Sequence, residues 1–505
     1  MDRSQLAARI QEILKGRPAP QRPVLAPVEA DGGPGRELAE ASGVHVVAPD
    51  EEAAFAARCA ADAAGSRVLE VLGATLEQEA GGRCLVVDRH YDGHRGHGRR
   101  RLSDYAGVMA AAAEGMSLLL PAVSGVPMFF DLETTGLSGG AGTYAFLVGC
   151  GYFDGDGFHT RQFFLRGYGD ERALLHAVTA YVQGFGATTF PLPAGDPPPS
   201  AHRPPPTVVT YNGKSFDLPL IETRYLMHRL ASPFGGLPHL DVLFPARRLW
   251  RRRLAREGSN RRALLAGGFV SADDRASCAL TVLEEDILGL MREDDVPGWE
   301  IPARYFAYTR TGDARGLGAV LEHNRLDLMS LGALTAVVVE MVSGLLPARD
   351  RYESLALGRL FEFLGRLEHA EQCYTCAAEP DGLFEAALDG AARAEALHWL
   401  ALHHRRRRRF AQAADTWQQL LEIKGLAPEL RRECLEALAI HAEHRARDLA
   451  AAQRFALGAL DASRGGRHAP EVEHRLGRLQ RKIAGGAPPG GVVPSPVQPF
   501  FPVEP

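Results

Sequence analysis

The hydrophobic pattern divides the chain into a mixed region and a purely helical region. Between residues 125 and 346, short apolar runs alternate with amphipathic stretches. VPMFFDLETTG and TVVTYNG are typical of buried strands, TYAFLVGCGYFD with HTRQFFLRGY is typical of a hairpin, and ERALLHAVTAYVQGF is typical of a helix. Between residues 350 and 480 every segment has helical periodicity. The pattern predicts an α/β layer domain followed by an all-α domain.

A small residue recurs in the helical region. LEHAEQCY, FAQAADTW and DLAAAQRF place alanines at Ala370, Ala413 and Ala452, with spacings of 43 and 39 residues. Such an alanine lets the two helices of a pair approach closely, and the aromatic residue that follows fills the next groove. We therefore predict degenerate helix-hairpin repeats, with a plain helical bundle as the alternative.

The two ends of the chain are less informative. Residues 1–124 begin with a short amphipathic helix and include a strand-like GGRCLVVDRHY, and their role is unclear. Residues 484–505 are rich in Pro and Gly and are predicted to be disordered, although Phe500 and Phe501 could dock a partner. The Pro-rich FPLPAGDPPPSAHRPPP predicts an exposed loop within the α/β domain.

Composition narrows the class of protein. An apolar fraction of 46% and a charged fraction of 24% in 505 residues are those of a soluble protein with two or three domains. A net charge of −5 gives no global case for nucleic-acid binding, so any basic surface must be local. We find neither a signal peptide nor a membrane segment, and seven cysteines, an odd number, favour a reducing, cytoplasmic location.

Two groups of metal-binding residue types have simpler interpretations. Cys373 and Cys376 form a C-x-x-C within a helical stretch, and without a second pair at zinc spacing they are predicted to pack. His90, His94 and His97 could bind a metal, but no acidic or Cys ligand completes the set. A basic, Gly-rich surface loop is the favoured interpretation.

The strongest candidate for chemistry is the D-x-E of MFFDLETTGL. Side chains two apart in a strand share a face, so Asp131 and Glu133 would project together where a buried strand ends. Two like charges side by side are unfavourable unless a cation lies between them.

Two further segments carry acids at the ends of predicted elements. In TVVTYNGKSFDLP a strand ends at Tyr211 and Asn212, Gly213 allows a sharp turn, and Asp217 lies near the start of a helix, where it could simply be a cap. In LEHNRLDLMSLGAL, His323 and Asp327 are four apart and share a helix face, where a solvated surface pair is the alternative.

Together, D-x-E, N-G-x-x-F-D and H-x-x-x-D resemble the DEDD (DnaQ-like) 3′–5′ exonuclease superfamily of the ribonuclease-H-like fold. More closely, the chain is similar to the YprB-like family, in which tetratricopeptide-like repeats can follow such a domain. The resemblance implies a ribonuclease-H-like mixed sheet flanked by helices. It also implies that two Mg²⁺ or Mn²⁺ ions are held by four acids, Asp131, Glu133, Asp217 and Asp327.

His323 departs from the family pattern. The His subclass of the superfamily has its His five residues before the last Asp and the Tyr subclass has its Tyr four before, whereas here a His stands four before Asp327. His323 would act as the base for the attacking water, or would instead bind the scissile phosphate.

Several residues are candidates for substrate binding. Basic residues around an aromatic in ARRLWRRRLAREGSNRR suit phosphates and an unpaired base, with a solvated basic helix as the alternative. Asp241 resembles an auxiliary acid at the pocket rim, and a helix cap is the alternative. The run HHRRRRRF at 403–410 is predicted to be a charged turn between helices. The acidic stretch REDDVPGWE at 292–300 could shield or gate the site. The predicted substrate-binding residues are Thr134, Tyr211, Asn212, Lys214, Asp241, Arg247, Arg248 and Trp250.

The predicted activity is metal-dependent phosphodiester hydrolysis, 3′–5′ and on single-stranded DNA or RNA, with the polarity implied by the resemblance. One alternative is a nucleic-acid-binding scaffold that works through its helical repeats without cleavage, and another is a structure-specific endonuclease. The repeats could also bind a protein partner. Residue types alone establish only an acid cluster suited to metals.

Overall fold

The computed structural model describes residues 68–79, 82–111, 113–120, 125–136, 142–185, 204–264, 278–379, 390–463 and 469–483. The predicted N-terminal helix, most of the Pro-rich loop, and the tail with Phe500 and Phe501 lie outside these residues.

Seven strands form one mixed sheet. The strands of the described residues are β1 Thr75–Glu79, β2 Gly82–Tyr91, β3 Gly96–His97, β4 Arg100–Arg101, β5 Pro127–Thr134, β6 Ala145–Asp154, β7 Gly157–Phe164, β8 Thr207–Thr210 and β9 His239–Asp241. The sheet has the order β1-β2-β7-β6-β5-β8-β9, and β3 pairs separately with β4. β5, β8 and β9 are mutually parallel and the other pairs are antiparallel. The parallel strands therefore end at one edge.

Helices pack on the sheet, and in the described part of the chain after β9 all regular elements are helices. In chain order they are α1 Leu102–Ala110, α2 Ala113–Leu119, α3 Glu171–Gly184, α4 Asp217–Met227, α5 Leu243–Leu264, α6 Leu280–Leu283, α7 Ile301–Thr311, α8 Leu317–Val342, α9 Arg351–Phe363, α10 Leu367–Ala378, α11 Gly390–Arg406, α12 Phe410–Leu421, α13 Pro428–His441, α14 Leu449–Ala462 and α15 Ala469–Ile483. This arrangement confirms the predicted fold class.

The alternation of side chains along β5 decides which way its acids point. Met128 and Phe130 belong to one hydrophobic core, whereas Phe129 belongs to the other core with most of the buried residues of α8. Side chains two apart in a strand share a face, so Asp131 and Glu133 lie on the same side as Phe129. The carboxylates of β5 therefore lie on the face of the sheet that α8 covers.

A glycine on β6 lets α8 approach this face closely. Gly149 pairs with Asp131 in the sheet, and a Cβ there would lie 2.2 Å from the side-chain oxygen of Asn324 on α8. No larger residue fits without moving the helix or the amide. The space at Gly149 is therefore what brings Asn324 next to the strand that carries Asp131.

The C-terminal helices pack as consecutive pairs. α9 packs on α10, α11 on α12 and α13 on α14. Ala370, Ala413 and Ala452 are fully buried, as close helix packing requires. One hydrophobic core contains side chains from Leu102 through Leu438, so it includes residues on both sides of the predicted domain boundary near residue 350. The domain limits and the tetratricopeptide-like character of the pairs stay predictions.

The remaining candidate ligands do not form a cluster. Cys373 and Cys376 lie one turn apart on α10, and burial raises the pKa of Cys373 to about 12, which keeps its thiol protonated. His97 is buried and shares a hydrogen bond of 2.9 Å with Ser330, while His90 and His94 are exposed. Within the described ranges, no helix has the length and apolarity needed to cross a bilayer.

Candidate functional site

Strand β5 contributes the first two carboxylates of the site. Asp131 and Glu133 are both half-buried at the end of a strand whose preceding residues are fully buried. The pairing of β5 with β6 shifts register between Glu133 and Thr134, so the regular ladder ends there. The strand therefore holds both acids rigidly beside an irregular, accessible edge.

Asp217 reaches the same edge from the next parallel strand. After β8 the chain turns through residues 211–216, and Asp217 is the first residue of α4. A Cβ at Gly213 would lie 2.5 Å from Thr210, so the turn is too tight for a side chain there. The carboxylate of Asp241, at the end of β9, accepts the backbone N–H of Asn212 at 2.8 Å and of Lys214 at 3.0 Å. The hydrogen bonds of Asp241 thus hold the turn that positions Asp217.

The prediction of Asp241 at a pocket rim is corrected by this geometry. Its residue surface is only 2% exposed, and besides the turn it accepts the backbone N–H of Leu243 at 3.1 Å, at the start of α5. A carboxylate that accepts hydrogen bonds from three backbone N–H groups stabilises the local backbone. The alternative of a helix cap is the correct interpretation.

The third contribution comes from α8. His323, Asn324 and Asp327 lie within five consecutive residues of α8, and Asn324 contacts the sheet. The Asn324 amide donates to Asp131 Oδ2 over 2.7 Å, and its own oxygen accepts a hydrogen bond of 2.8 Å from Gln162 on β7. Sheet and helix are therefore joined through a buried amide that points at the first acid.

The four predicted acids lie close enough for their charges to interact. Burial raises the pKa of Asp131 well above its ordinary value, and the charges of Asp327 and Asp217 raise it further. Burial and then the charge of Asp131 do the same to the pKa of Glu133. The pKa of Asp217 is raised to about 7, first by burial. The four predicted acids therefore lie within range of one another's charges, an unfavourable arrangement that a cation would offset.

Arg292, which is not among the predicted site residues, contributes positive charge here. Arg292, in the loop before α7, has a side chain only 6% exposed. It contacts Glu284 at 2.5 Å and Asp295 at 2.9 Å, and it forms an ion pair with Asp327. Arg292 thus binds one acid of the quartet directly. Its sequence signal was its position in the REDDVPGWE stretch.

His323 is held by a carboxylate from the same loop. Its Nδ1 lies 2.9 Å from both oxygens of Asp295, and its Nε2 lies 3.6 Å from Asp327 Oδ2. With Nδ1–H donated to Asp295, Nε2 carries the lone pair on the side of the acid cluster. Such a pair can orient a water molecule and take its proton. Asp295 is a second residue that the motifs alone did not indicate.

Comparison with known proteins concerns the domain that carries these residues. A family model described as the RNase_H superfamily, RNase_H_2, matches residues 128–339, a range that contains all four acids and His323. Residues 128–339, which this model matches, are therefore similar to an RNase H superfamily domain. Over 414 residues the chain is also 27% identical to the uncharacterized protein YprB of Bacillus subtilis (strain 168), across 79% of this chain and 86% of that protein. The predicted resemblance is thereby confirmed, and it indicates a nuclease that binds nucleic acid.

The acids of the RNase H superfamily domain fit a divalent cation in their chemistry. Nucleases of this superfamily typically use divalent metals, and carboxylate oxygens are the ligands that Mg²⁺ and Mn²⁺ prefer. Among the residues described, however, no three His, Cys, Asp or Glu side chains stand in a ready ligating arrangement. One oxygen of Asp327 pairs with Arg292, and one oxygen of Asp131 accepts a hydrogen bond from Asn324.

Other predicted substrate residues lie beside the acids in the chain, Thr134 after Glu133, and Tyr211, Asn212 and Lys214 in the turn that precedes Asp217. The Thr134 hydroxyl donates to Gly136 O over 2.9 Å, and the Tyr211 hydroxyl donates to Cys278 O, so both are used within the fold. Asn212 is half-buried with a φ of 65°, a left-handed conformation that Asn tolerates. Lys214 is exposed, and its Nζ lies 5.4 Å from the ring centre of Phe244.

The prediction that Trp250 stacks on a base is wrong. Trp250 is fully buried, and its Nε1–H donates to Glu353 Oε1 over 2.7 Å, which joins α5 to α9. A ring that is closed off by the next helix cannot meet a substrate. Arg247 and Arg248, in contrast, are exposed on the other side of α5.

Proposed function

We propose that this protein is a metal-dependent nuclease that hydrolyses phosphodiester bonds, and that it acts as a 3′–5′ exonuclease on single-stranded nucleic acid. The observation that carries the proposal is the gathering of Asp131, Glu133, Asp217 and Asp327 from β5, α4 and α8 inside an RNase H superfamily domain. The 3′–5′ polarity rests on the resemblance to the DEDD exonucleases.

The same four carboxylates would hold two Mg²⁺ or Mn²⁺ ions. When bound, such ions would offset the negative charge of the phosphodiester and activate a water molecule. The mutual repulsion of the acids supports this assignment, because carboxylates without a cation would gain from separation. Asp327 would exchange the guanidinium of Arg292 for a cation.

The chain itself supplies proton transfer and orientation. His323, held at Nδ1 by Asp295, would take the proton of the attacking water at Nε2. Asn324 would keep one oxygen of Asp131 fixed by its hydrogen bond, so that the other faces the substrate. The tight turn at residues 211–216 would hold Asp217 at a constant distance from β5.

A cleavage assay with end-labelled strands tests the proposal. Single-stranded DNA and RNA labelled at the 5′ end are incubated with the protein in Mn²⁺ or in EDTA. We expect a ladder that shortens from the 3′ end in Mn²⁺, no cleavage in EDTA, and a loss of rate of at least 10³-fold in Asp131→Asn, as for removal of a group essential to charge stabilisation. Asp415→Asn, on an exposed position of α12, is the matched control and should cut like the wild type.

Each rival has a distinct result in this assay. Internal cuts would replace the exonuclease by a structure-specific endonuclease. Binding without cleavage in any metal, unchanged in Asp131→Asn, would favour the scaffold and refute the nuclease.

A further inference from the structure

A basic groove lies between the RNase H superfamily domain and the C-terminal helices, formed by α5, α9 and α11. Its volume is about 850 Å³. Among the described residues, seven arginines and one carboxylate, Glu362, line it. The arginines come from both sides: α5 supplies Arg247, Arg248, Arg251 and Arg252, and the helical region supplies Arg359, Arg406 and Arg407. In a chain with a net charge of −5, this is a strong local concentration of positive charge.

The sequence placed these arginines in two unrelated runs. The first was the Arg-rich stretch around Trp250, and the second was HHRRRRRF, interpreted as a charged turn. The second run does end in a turn after α11, but Arg406 and Arg407 face α5 across the groove. Two basic runs about 150 residues apart in sequence therefore serve one surface.

Part of this charge is not neutralised by the fold. Arg252 forms an ion pair with Glu395, Arg406 pairs with Glu362 at 2.6 Å, and Arg407 lies 3.6 Å from Glu371. Arg248 lies instead over an aromatic ring, and Arg359 does the same. A guanidinium on a ring keeps its full charge and its hydrogen-bond donors, so it can still bind an anion.

The groove also presents flat apolar surface. Phe363 is 69% exposed, and the guanidinium carbon of Arg248 is 3.9 Å from its ring centre. Trp399 lies beneath Arg359, 4.6 Å from its guanidinium carbon. An exposed aromatic ring, that of Phe363, among arginines suits a polymer with both phosphates and unpaired bases, because a base can stack where a phosphate is neutralised nearby. An acidic peptide would use the charges but not the rings.

One face of α5 leads from the acid cluster to the groove. Phe244 is next to Lys214 on the turn that precedes Asp217, and Arg247 and Arg248 follow three and four residues later on the same helix face. Arg251 continues the face by another turn. A strand that ends at the carboxylates can therefore follow this face into the groove.

We propose that this groove binds single-stranded nucleic acid, as a site separate from the acid cluster that holds the strand away from its cut end. The identity of the polymer as the substrate rests on the proposed function. The charge and the exposed ring, which select an unpaired strand, do not depend on it. In a duplex the faces of the bases are already covered by their neighbours, so Phe363 selects against it.

Binding of a fluorescent 20-nucleotide oligo-dT, followed by anisotropy in EDTA, tests the groove without cleavage. We expect Arg248→Glu combined with Arg359→Glu to weaken binding by at least tenfold and to reduce the slope of log K against log salt by about 1.4, since each phosphate contact on a single strand adds roughly 0.7. Phe363→Ala should weaken binding by roughly tenfold at an unchanged slope, because it removes stacking and no charge. Arg481→Glu, exposed on α15, is the charge-matched control and should bind normally.

The outcomes separate the groove from the activity. Wild-type affinity and slope in a folded Arg248→Glu, Arg359→Glu variant would refute the groove, whether or not the protein cuts. Displacement of oligo-dT by polyglutamate at equal charge concentration would assign the groove to acidic peptides and would also refute the proposal. If the groove variants lose binding but the wild type cuts nothing, the groove stands and the nuclease proposal fails.

Discussion

The side-chain amide of Asn324 on α8 donates a hydrogen bond of 2.7 Å to Oδ2 of Asp131 on β5. Asn324 is fully buried, and Gln162 fixes its orientation from β7. This contact lowers the pKa of Asp131, against the larger effect of burial. The first acid of the cluster is therefore positioned from the helix that also carries Asp327.

Replacement of this amide should weaken the site without removing an acid. We expect Asn324→Leu to lower the Mn²⁺-dependent cleavage rate by about 10–100-fold and to raise the Mn²⁺ concentration needed for half the maximal rate, as is usual when a ligand loses its supporting hydrogen bond. Initial rates over a metal titration measure both effects.

The glycine opposite offers a matched test of the same contact. Gly149→Ala places a Cβ 2.2 Å from the Asn324 oxygen, so it should move the amide and shift the metal dependence in the same direction. A wild-type metal titration in Asn324→Leu would show that Asp131 needs no support from α8.

Removal of Arg292 should destabilise the fold. Glu284 is 1% exposed, and the loss of its guanidinium partner leaves a buried carboxylate with an already raised pKa. We expect Arg292→Met to lower the free energy of unfolding by about 3–5 kcal/mol, measured by urea denaturation. Arg315→Met, which breaks the exposed pair with Asp313, should unfold at the same urea concentration as the wild type, because solvent screens an exposed ion pair. Equal losses in the two variants would show that Arg292 is not a buried counter-charge.

The acids could be predicted from the sequence because regular elements place them. Asp131 and Glu133 share a face by the period of a strand, and His323 and Asp327 share one by the period of a helix. Arg292 could not be found in this way. It lies in an irregular loop, where sequence spacing says nothing of direction, and only the tertiary fold brings it to the acids.

The incorrect prediction that Trp250 binds a base has a different cause. The arginines around it suggested a binding surface, but the apolar residues Leu243, Ala246 and Leu254 recur with Trp250 at helical spacing and are all buried. The apolar periodicity of α5 thus indicates a buried Trp250, whereas its arginine-rich composition does not show which face the ring occupies. The same helix presents its arginines on the opposite face.

The burial of Trp250 predicts an effect on stability alone. Trp250→Phe keeps most of the packing but removes the donor to Glu353, so the free energy of unfolding should fall by about 1–3 kcal/mol in urea denaturation. The affinity of the folded variant for oligo-dT should equal that of the wild type. A tenfold weaker affinity with normal stability would return Trp250 to the binding surface.

His97 predicts how stability depends on pH. It is 2% exposed against Ser330, and burial lowers its pKa to about 4, below the value of about 6.5 in an unfolded chain. Between these values the unfolded state binds the proton and the folded state does not. The stabilisation is therefore complete above pH 6.5 and is lost as the pH falls toward 4, by about 2 kcal/mol between pH 7 and pH 5.

A comparison of two histidine variants isolates this contribution. Gln at position 97 can still bond Ser330 but does not titrate, so His97→Gln should lose about 2 kcal/mol less than the wild type between pH 7 and pH 5, in urea denaturation at both values. His94→Gln removes an exposed histidine of the same loop and should follow the wild type. Because the carboxylates titrate alike in all three proteins, their effect cancels in the difference. Parallel losses in His97→Gln and the wild type would mean that His97 takes up its proton in the folded state.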